Sequence, residues 1–317
     1  MPLPSSQRNR SAAQVLDAYA AAVRAEMTTA KSVAHASAVL SSATFRSLAA
    51  AQPLEAMARL ARIVPVAYAA GARTIGGMFD AAYQSLQREY RNEYVFKNAV
   101  VSKVVFGRHK PTTASAILEL PLGTSFADVV VFNGTSTVYE IKTDLDSFSR
   151  LGTQLADYCT RAEFVNVVVS EERAEAAAEH VPEHVGVLAL RRTGAIRTVR
   201  DATSNLHQIR ADHLFGTLRR AEAIDVLASN DIVTDGPDPA TRWAALRDGF
   251  ATLDPAVAHA GAVAALRRRG MGAAAVASNA TLPRSTRALA YSAVLSRTAG
   301  DRLLERLAAP IPPVWGL

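Results

Sequence analysis

Three residues, Asp128, Glu140 and Lys142, have the types and spacing that chemistry on a phosphate requires. Glu140 and Lys142 point to the same face of a strand, because strand side chains alternate with a period of two. Carboxylate oxygens without a nearby His or Cys suit a hard cation such as Mg²⁺ or Mn²⁺, and a lysine amine can orient water or stabilise charge on a phosphate. The pattern therefore predicts metal-dependent phosphodiester hydrolysis. The alternative is a solvent-facing strand on which Glu140 and Lys142 form an ordinary surface ion pair.

A predicted β-hairpin brings Asp128 to the other two residues. Runs of β-branched and aromatic residues flank an Asn-Gly loop here, which is a strong hairpin signal. With a three-residue loop, 133–135, and its glycine at positive φ, Phe132 pairs with Ser136. That register places Asp128 opposite Glu140. Two carboxylates in this position repel each other, so the register favours a cation between them.

A helix predicted from Tyr83 to Phe106 precedes the strands and carries Glu93. Glu93 can contribute a third carboxylate to the patch on the sheet. With Lys97 four positions later, it can instead form a helix-surface ion pair of the kind worth a few tenths of a kcal/mol. The surrounding pattern favours the first interpretation.

The remaining elements of the central segment predict an α/β domain. A strand-helix-strand step from Lys142 to Val169 implies a right-handed crossover and a mixed sheet. Gln154 and Tyr158 lie at i,i+4 on one face of the helix in this step. The predicted elements are a strand at 114–120 that ends before a Pro-Leu-Gly break, the two hairpin strands, a helix at 148–161, a strand at 164–170, a helix at 171–180, and strands at 185–190 and 196–199.

This combination resembles the PD-(D/E)XK nuclease superfamily. The resemblance rests on the αβββαβ order and on a motif that stands here as Glu93, Asp128 and Glu140-Ile-Lys142. The segment Gln154-Leu-Ala-Asp-Tyr158 is similar to the Gln-x-x-x-Tyr element of the RecB-like branch. The resemblance covers roughly residues 83–199. The sequence departs from the pattern before the Asp, where Phe126-Ala127 stands in place of a proline.

The resemblance implies a restriction-endonuclease-like αβββαβ core and a divalent-metal-dependent nuclease. Asp128, Glu140 and Glu93 would then bind Mg²⁺ or Mn²⁺, and Lys142 would position or activate water. Gln154 and Tyr158 would support the substrate or the geometry of the site. Nucleic acid is the implied partner, and DNA is favoured over RNA by analogy with most proteins of this fold, in a repair, restriction or anti-phage role. The alternative is a non-catalytic nucleic-acid-binding or interaction protein that retains the fold.

Helical regions are predicted on both sides of this core. The predicted divisions are an N-terminal helical region at 1–82, the nuclease-like core at 83–200 and a C-terminal helical region at 201–317. Residues 11–87 show helical periodicity with breaks near residues 41–42, 52–53 and 70–71, and further helices are predicted at 211–230, 239–253, 255–269 and 284–309. We expect these regions to shape substrate access, to bind a protein partner or to mediate self-association.

The positive charge of the chain is unevenly distributed. The formal net charge is +6, and residues 1–87 hold 8 Lys and Arg against 4 Asp and Glu, whereas residues 88–200 hold 14 against 14. Contacts with a phosphate backbone are therefore expected mainly outside the core. The candidate residues are Arg59, Arg62, Arg73, Arg267, Arg268 and Arg269. The alternative for each is a solvated arginine, or a cation that meets the dipole of a helix C-terminus.

Composition and motifs exclude several other classes. The sequence has no run of about 18 apolar residues that could cross a membrane, and its N-terminus lacks the pattern of a signal peptide, so a cytoplasmic location is expected. The single cysteine, Cys159, cannot form an internal disulfide or a Cys₄ zinc site. There is no Gly-rich ATPase loop and no Gly-x-Ser-x-Gly elbow.

Overall fold

The computed structural model describes residues 29–234 and 238–315. The chain divides into two compact units: the sheet unit, residues 93–278 and 290–294, and the helical unit, which holds the described parts of 1–92, 279–289 and 295–317. The predicted helical residues 11–28 lie outside the described ranges. Within those ranges, no helix combines the length and the apolar character needed to cross a membrane.

The described α-helices are numbered in chain order. They are α1 Thr29–Val39, α2 Ser42–Ala49, α3 Leu54–Ala61, α4 Val64–Ala69, α5 Ile75–Glu89, α6 Glu93–Val100, α7 Leu151–Cys159, α8 Ala174–His180, α9 Ala211–Phe215, α10 Arg220–Ala228, α11 Pro239–Ala251, α12 Pro255–Ala277, α13 Arg287–Ser292 and α14 Arg297–Ala308. A π-helix, Val101–Arg108, continues directly from α6. The predicted breaks in the N-terminal helical segment are present between α1 and α2, between α2 and α3 and between α4 and α5.

A six-stranded mixed sheet forms the centre of the sheet unit, and its strand order follows the chain. The strands are β1 Ser115–Leu122, β2 Ser125–Phe132, β3 Ser136–Lys142, β4 Phe164–Ser170, β5 Gly186–Leu190 and β6 Ile196–Arg200. The pairs β1–β2, β2–β3 and β5–β6 are antiparallel, and β3–β4 and β4–β5 are parallel. The predicted α/β class with a mixed sheet is therefore confirmed.

The β2–β3 hairpin has the predicted register. Its last antiparallel pair is Val129 with Tyr139, and Gly134 in the three-residue loop has a φ of 97°. Only glycine adopts such a φ without strain. One position beyond the last pair, Asp128 lies opposite Glu140, as expected.

Strand β1 continues through Pro121, where the sequence predicted a break. Proline lacks an N–H, but β1 is an edge strand, and a proline is tolerated at an edge where its nitrogen has no partner strand to bond. The turn to β2 then needs only Gly123, at a φ of 68°, and Thr124. The hydroxyl and backbone N–H of Thr124 both donate to Asp157 of α7, at 2.8 and 3.1 Å, which ties this turn to the helix.

The helix predicted over 83–106 is two helices, and this prediction was wrong. Helix α5 ends at Glu89 and α6 begins at Glu93. The side chain of Asn92 donates to the hydroxyl of Ser37 at 3.2 Å, so a tertiary contact holds the chain out of the helix at a residue that readily forms turns. Glu93 is therefore the first residue of a helix and not a residue in its middle.

Helices cover both faces of the sheet. On one face, apolar residues of α7, α8 and α12 share a single core with Val138 and Val167. On the other face, Val104 of the π-helix lines a cavity together with Tyr139 and Leu188. Since strand residues alternate, Glu140 and Lys142 belong to the α7 face, and Tyr139 belongs to the π-helix face.

The helices that follow the sheet pack onto it as far as residue 278. Gly270 of α12 lies so close to β1 that an added Cβ would meet the backbone oxygen of Ala116 at 2.9 Å, and the hydroxyl of Ser115 donates to the carbonyl of Arg267 at 2.9 Å. The predicted region 201–317 is consequently divided between the two units, because its first part contributes to the core of the sheet unit. The predicted boundary after residue 82 falls inside α5, and the observed division lies between residues 92 and 93.

The helical unit is held together by its own apolar core and by two arginines of α14. Phe45 and Phe79 pack edge to face with ring centres 6.1 Å apart. Arg302 donates to the carbonyl of Ala49 at 3.0 Å, and Arg306 donates to neighbouring carbonyls. The unpaired carbonyls at the C-terminus of α2 are thereby satisfied by cations, which also suit the helix dipole.

Candidate active site

Asp128 and Glu140 meet where β2 and β3 stop pairing. Glu140 is almost fully buried, at 2% exposure, and the Asp128 side chain is 17% exposed. In place of the next ladder bond, the Asp128 carboxylate accepts a hydrogen bond from the backbone N–H of Ile141 at 2.8 Å. This bond fixes the Asp128 side chain beside the strand that carries Glu140.

The charge on Asp128 is destabilised by its surroundings. Burial and the nearby Glu140 carboxylate raise the pKa of Asp128 to about 7, although the ammonium of Lys97 and the N–H of Ile141 oppose this change. A carboxyl group with this pKa is held in a position that favours either a proton or an added cation.

The Glu140 carboxylate accepts hydrogen bonds from Lys142 and Tyr158, and Lys142 also binds Gln154 of α7. The ammonium of Lys142 donates to one Glu140 oxygen at 2.9 Å and to the side-chain oxygen of Gln154 at 2.7 Å. The other Glu140 oxygen accepts a hydrogen bond from the hydroxyl of Tyr158 at 2.8 Å, and the carbonyl of Phe126 lies 2.9 Å from the same hydroxyl. Burial and the negative Glu140 raise the pKa of Tyr158, so its hydroxyl stays protonated.

The predicted site residues are thus brought together. Glu140, Lys142, Gln154 and Tyr158 form one continuous set of hydrogen bonds, and Asp128 lies beside it. The i,i+4 spacing of Gln154 and Tyr158 places both side chains over the strand because α7 packs on that face. Glu93 lies further out: its side chain is 56% exposed, and its carboxylate contacts the ammonium of Lys97.

Lys97 is a site residue that the sequence prediction missed. It was considered only as a surface partner of Glu93, but its side chain is 8% exposed, and its ammonium lies 3.1 Å from Glu119 and 3.5 Å from Asp128. Burial alone would lower the pKa of Lys97, and the carboxylates of Asp128, Glu93 and Glu119 outweigh burial and raise it. Lys97 is therefore a buried cation that compensates acidic groups from one helix and two strands. Lys97 lies one turn before Val101, on the buried side of its helix, and this spacing was the signal in the sequence that its side chain would be buried.

Glu119 is the second missed residue, and its backbone is unusual. It has a φ of 54° inside β1, a conformation that costs a non-glycine residue free energy and that clusters at functional sites. The pairing of β1 with β2 is interrupted between Leu118–Val129 and Leu120–Ala127. The interruption falls at Glu119 and Asp128, the two residues that face each other there.

The donor chemistry of this cluster fits a hard cation. Asp128 and Glu140 offer only oxygen, and Mg²⁺ in enzymes is commonly bound by one or two carboxylates with water and substrate phosphate as further ligands. Among residues 29–234 and 238–315, no three Asp, Glu, His or Cys side chains are grouped so as to bind a metal by themselves. Burial and the repulsion of Glu140 both raise the pKa of Asp128, and a cation between the two acids would oppose both effects by favouring the charged carboxylate.

The six arginines predicted to contact nucleic acid differ in their availability. Arg269 forms a partly buried ion pair with Glu222, in which the two side chains are 14% and 15% exposed. Arg59 donates to the hydroxyl of Thr44 at 2.8 Å, and Arg267 donates to the carbonyl of Thr112 at 3.1 Å. The remaining three, Arg62, Arg73 and Arg268, are exposed.

The comparison with known families concerns the part of the chain that carries this cluster. The family model described as bacteriophage P4 protein cII matches residues 86–250, more than half of the chain. The chain belongs to the bacteriophage P4 cII family. The cII match begins within α5 and ends within α11, so it contains all six described strands and every residue of the cluster. No curated protein and no solved structure matches the chain.

Proposed function

We propose that this cII-family protein is a divalent-metal-dependent nuclease with a PD-(D/E)XK type of core. The observation that carries the proposal is the cluster of Asp128, Glu140 and Lys142 at the β2–β3 junction, braced by Gln154 and Tyr158. The order α6, β1, β2, β3, α7, β4 also agrees with the αβββαβ order that the resemblance implies. DNA is the proposed substrate.

The protein groups have distinct roles in the proposed mechanism. Asp128 and Glu140 would hold the metal ion, and Glu93, at the rim, would extend the acidic surface around it. A bound divalent ion would supply Lewis-acid polarisation of the phosphate and a lower pKa for its bound water. The Lys142 ammonium, placed between Glu140 and Gln154, would orient the attacking water and stabilise negative charge on the phosphate oxygens.

Two further residues position this machinery. Tyr158 donates to Glu140 and so fixes the direction of the carboxylate, a role that groups bonded to metal ligands commonly perform. Lys97 offsets the acidic groups of α6, β1 and β2 when no other cation is present. Both act through the carboxylates and need not touch the substrate.

The second candidate is a nucleic-acid-binding or interaction protein that retains this fold without turnover. The observation that favours it is the position of Lys97, whose ammonium already contacts Glu93 and Glu119 and lies 3.5 Å from Asp128. In such a protein the lysine would replace the metal permanently. Substitution of Lys97 by Met would then leave the protein without cleavage activity and would leave Glu93, Glu119 and Asp128 without this cation.

Cleavage assays distinguish the two candidates. The full chain is incubated with linear and with supercoiled DNA in Mg²⁺ or Mn²⁺, with and without EDTA. The nuclease proposal predicts cleavage that EDTA abolishes and that Asp128→Ala and Lys142→Ala each remove while circular dichroism shows a folded protein. Undiminished cleavage by folded Asp128→Ala would contradict the mechanism, and no cleavage by the wild type under any of these conditions would favour the second candidate.

A further inference from the structure

Two adjoining cavities form a groove on the opposite face of the sheet from Glu140 and Lys142. Their volumes are about 250 and about 240 Å³, and they share the lining residues Arg108, Tyr139, Leu188 and Thr198. We call them the first and the second lobe of the π-helix groove. Together they reach the size of typical small-molecule sites, which is roughly 300 to 1,000 Å³.

The floor of the groove contains two polar side chains without a partner. Tyr139 is 3% exposed and Asn166 is 7% exposed, and neither side chain makes a hydrogen bond to any other described residue. Asn166 interrupts an otherwise apolar strand, and Gly186 on the next strand leaves room for it, since a Cβ there would meet the Asn166 side-chain oxygen at 2.2 Å. Both side chains line the groove and have no partner among the described residues that a ligand would need to displace, so this floor is suited to hydrogen-bond a ligand.

The wall of the groove contributes two cations. Lys103 and Arg108 belong to the π-helix and line the second lobe; both are exposed, and neither forms an ion pair within the described part of the chain. They are five residues apart, the spacing that a π-helix aligns because its hydrogen bonds join residues five apart. An α-helix would turn the same two residues to different sides. Helices of this rare kind occur frequently at functional sites.

The two lobes differ in chemistry. The second lobe has both cations and no acidic residue in its lining, which suits a phosphate dianion. The first lobe adds the ring of Phe164, the amide of Asn166 and the carboxylate of Asp201. These groups can stack on a base, bond its polar edge and accept from sugar hydroxyls. We propose that the π-helix groove binds a nucleoside 5′-monophosphate, with its phosphate in the second lobe and its nucleoside in the first.

This site is independent of the proposed nuclease function. Tyr139 and Glu140 are neighbours in β3, so their side chains leave opposite faces of the sheet. A ligand in the groove would therefore not occupy the position of a scissile phosphate beside Lys142. The tyrosine would act as a neutral hydrogen-bond donor, because burial raises its pKa to about 12.

Isothermal titration calorimetry on the full chain tests this proposal. AMP, GMP, CMP and UMP are titrated in EDTA, with inorganic phosphate and adenosine as partial probes. We expect at least one monophosphate to bind more tightly than either partial probe. Arg108→Gln should weaken that binding about tenfold or more, since it removes a charge-assisted bond to phosphate. Tyr139→Phe and Asn166→Ala should each weaken it by a smaller factor.

Lys110→Gln is the matched control, because Lys110 is an exposed cation two residues beyond Arg108 that lines neither lobe. It should leave the affinity unchanged. Failure of all four monophosphates to bind at millimolar concentration would overturn the proposal. Binding that Arg108→Gln leaves unaltered would do the same, and inorganic phosphate binding as tightly as the nucleotide would show a simple anion site with no nucleoside lobe. Arg108 is exposed and Tyr139→Phe is nearly isosteric, so both variants should fold.

Discussion

Replacement of Asp128 by Asn should stabilise the metal-free protein at alkaline pH. The structure holds this carboxylate where burial and Glu140 raise its pKa to about 7, well above the 3.8 of an unperturbed aspartate. Between those two values the folded state binds a proton that the unfolded state has lost. Stability therefore falls as the pH rises from about 4 to about 7, and the loss is complete above pH 7.

The size of the effect follows from the pKa. At pH 5 the folded protein keeps the proton on Asp128, about two pH units below its pKa, and each unit corresponds to about 1.4 kcal/mol. Raising the pH from 5 to 8.5 should thus cost the wild type about 3 kcal/mol through this group. The side-chain amide of the Asp128→Asn variant does not titrate and keeps an oxygen for the N–H of Ile141, so the variant avoids this cost.

The measurement is the free energy of unfolding in denaturant, in EDTA, at pH 5 and pH 8.5. The difference between Asp128→Asn and wild type should shift by about 3 kcal/mol in favour of the variant between the two pH values. Asp231→Asn, at an exposed aspartate, is the control and should show no shift. A variant that is equally destabilised at both pH values would refute the electrostatic reasoning. Added Mg²⁺ at pH 8.5 should stabilise the wild type more than the variant.

Three further predictions concern binding, activity and folding of the same region. Affinity for Mn²⁺, measured by calorimetry, should rise about tenfold per pH unit up to about pH 7 and then level off, because a protonated Asp128 cannot bind a cation. An affinity that does not change from pH 5.5 to 7 would argue against Asp128 as a metal ligand. Tyr158→Phe should reduce cleavage by about 10- to 100-fold while secondary structure persists, and unaltered cleavage would show that its hydrogen bond to the buried glutamate is not needed. Gly123→Ala should destabilise the protein by clearly more than Gly134→Ala. Both glycines have a positive φ, but only at Gly123 would a Cβ collide with Asp157, at 2.1 Å. Equal losses in the free energy of unfolding, measured in denaturant, would contradict this explanation of the turn.

The hairpin and its carboxylates were predictable from local sequence. An Asn-Gly loop between two β-forming runs fixes a register, and period-two alternation then decides which side chains share a face. The same holds for Gln154 and Tyr158, which one helix face brings together. These features depend on neighbours in sequence, so no knowledge of distant contacts was needed.

The rest of the cluster depends on contacts that local patterns do not show. Glu119 faces Asp128 only because β1 continues through Pro121 to a tight Gly123-Thr124 turn, and a proline usually signals the end of a strand. The break before Glu93 depends on a bond to a residue more than fifty positions earlier. The conversion of α6 into a π-helix has no clear sequence signal, so the alignment of Lys103 with Arg108 could not be predicted.

The central claim, that the Asp128–Glu140 cluster cleaves DNA with a metal ion, is tested most directly by the cleavage rate of Glu140→Gln in Mn²⁺. Gln preserves the size of the side chain and can still accept from Tyr158, but it lacks the negative charge that would hold a cation. Glu179→Gln, at an exposed glutamate on α8, is the matched control. We predict that Glu140→Gln loses about 100-fold or more of the rate, whereas Glu179→Gln cleaves like the wild type. Equal rates for the two variants would contradict the claim.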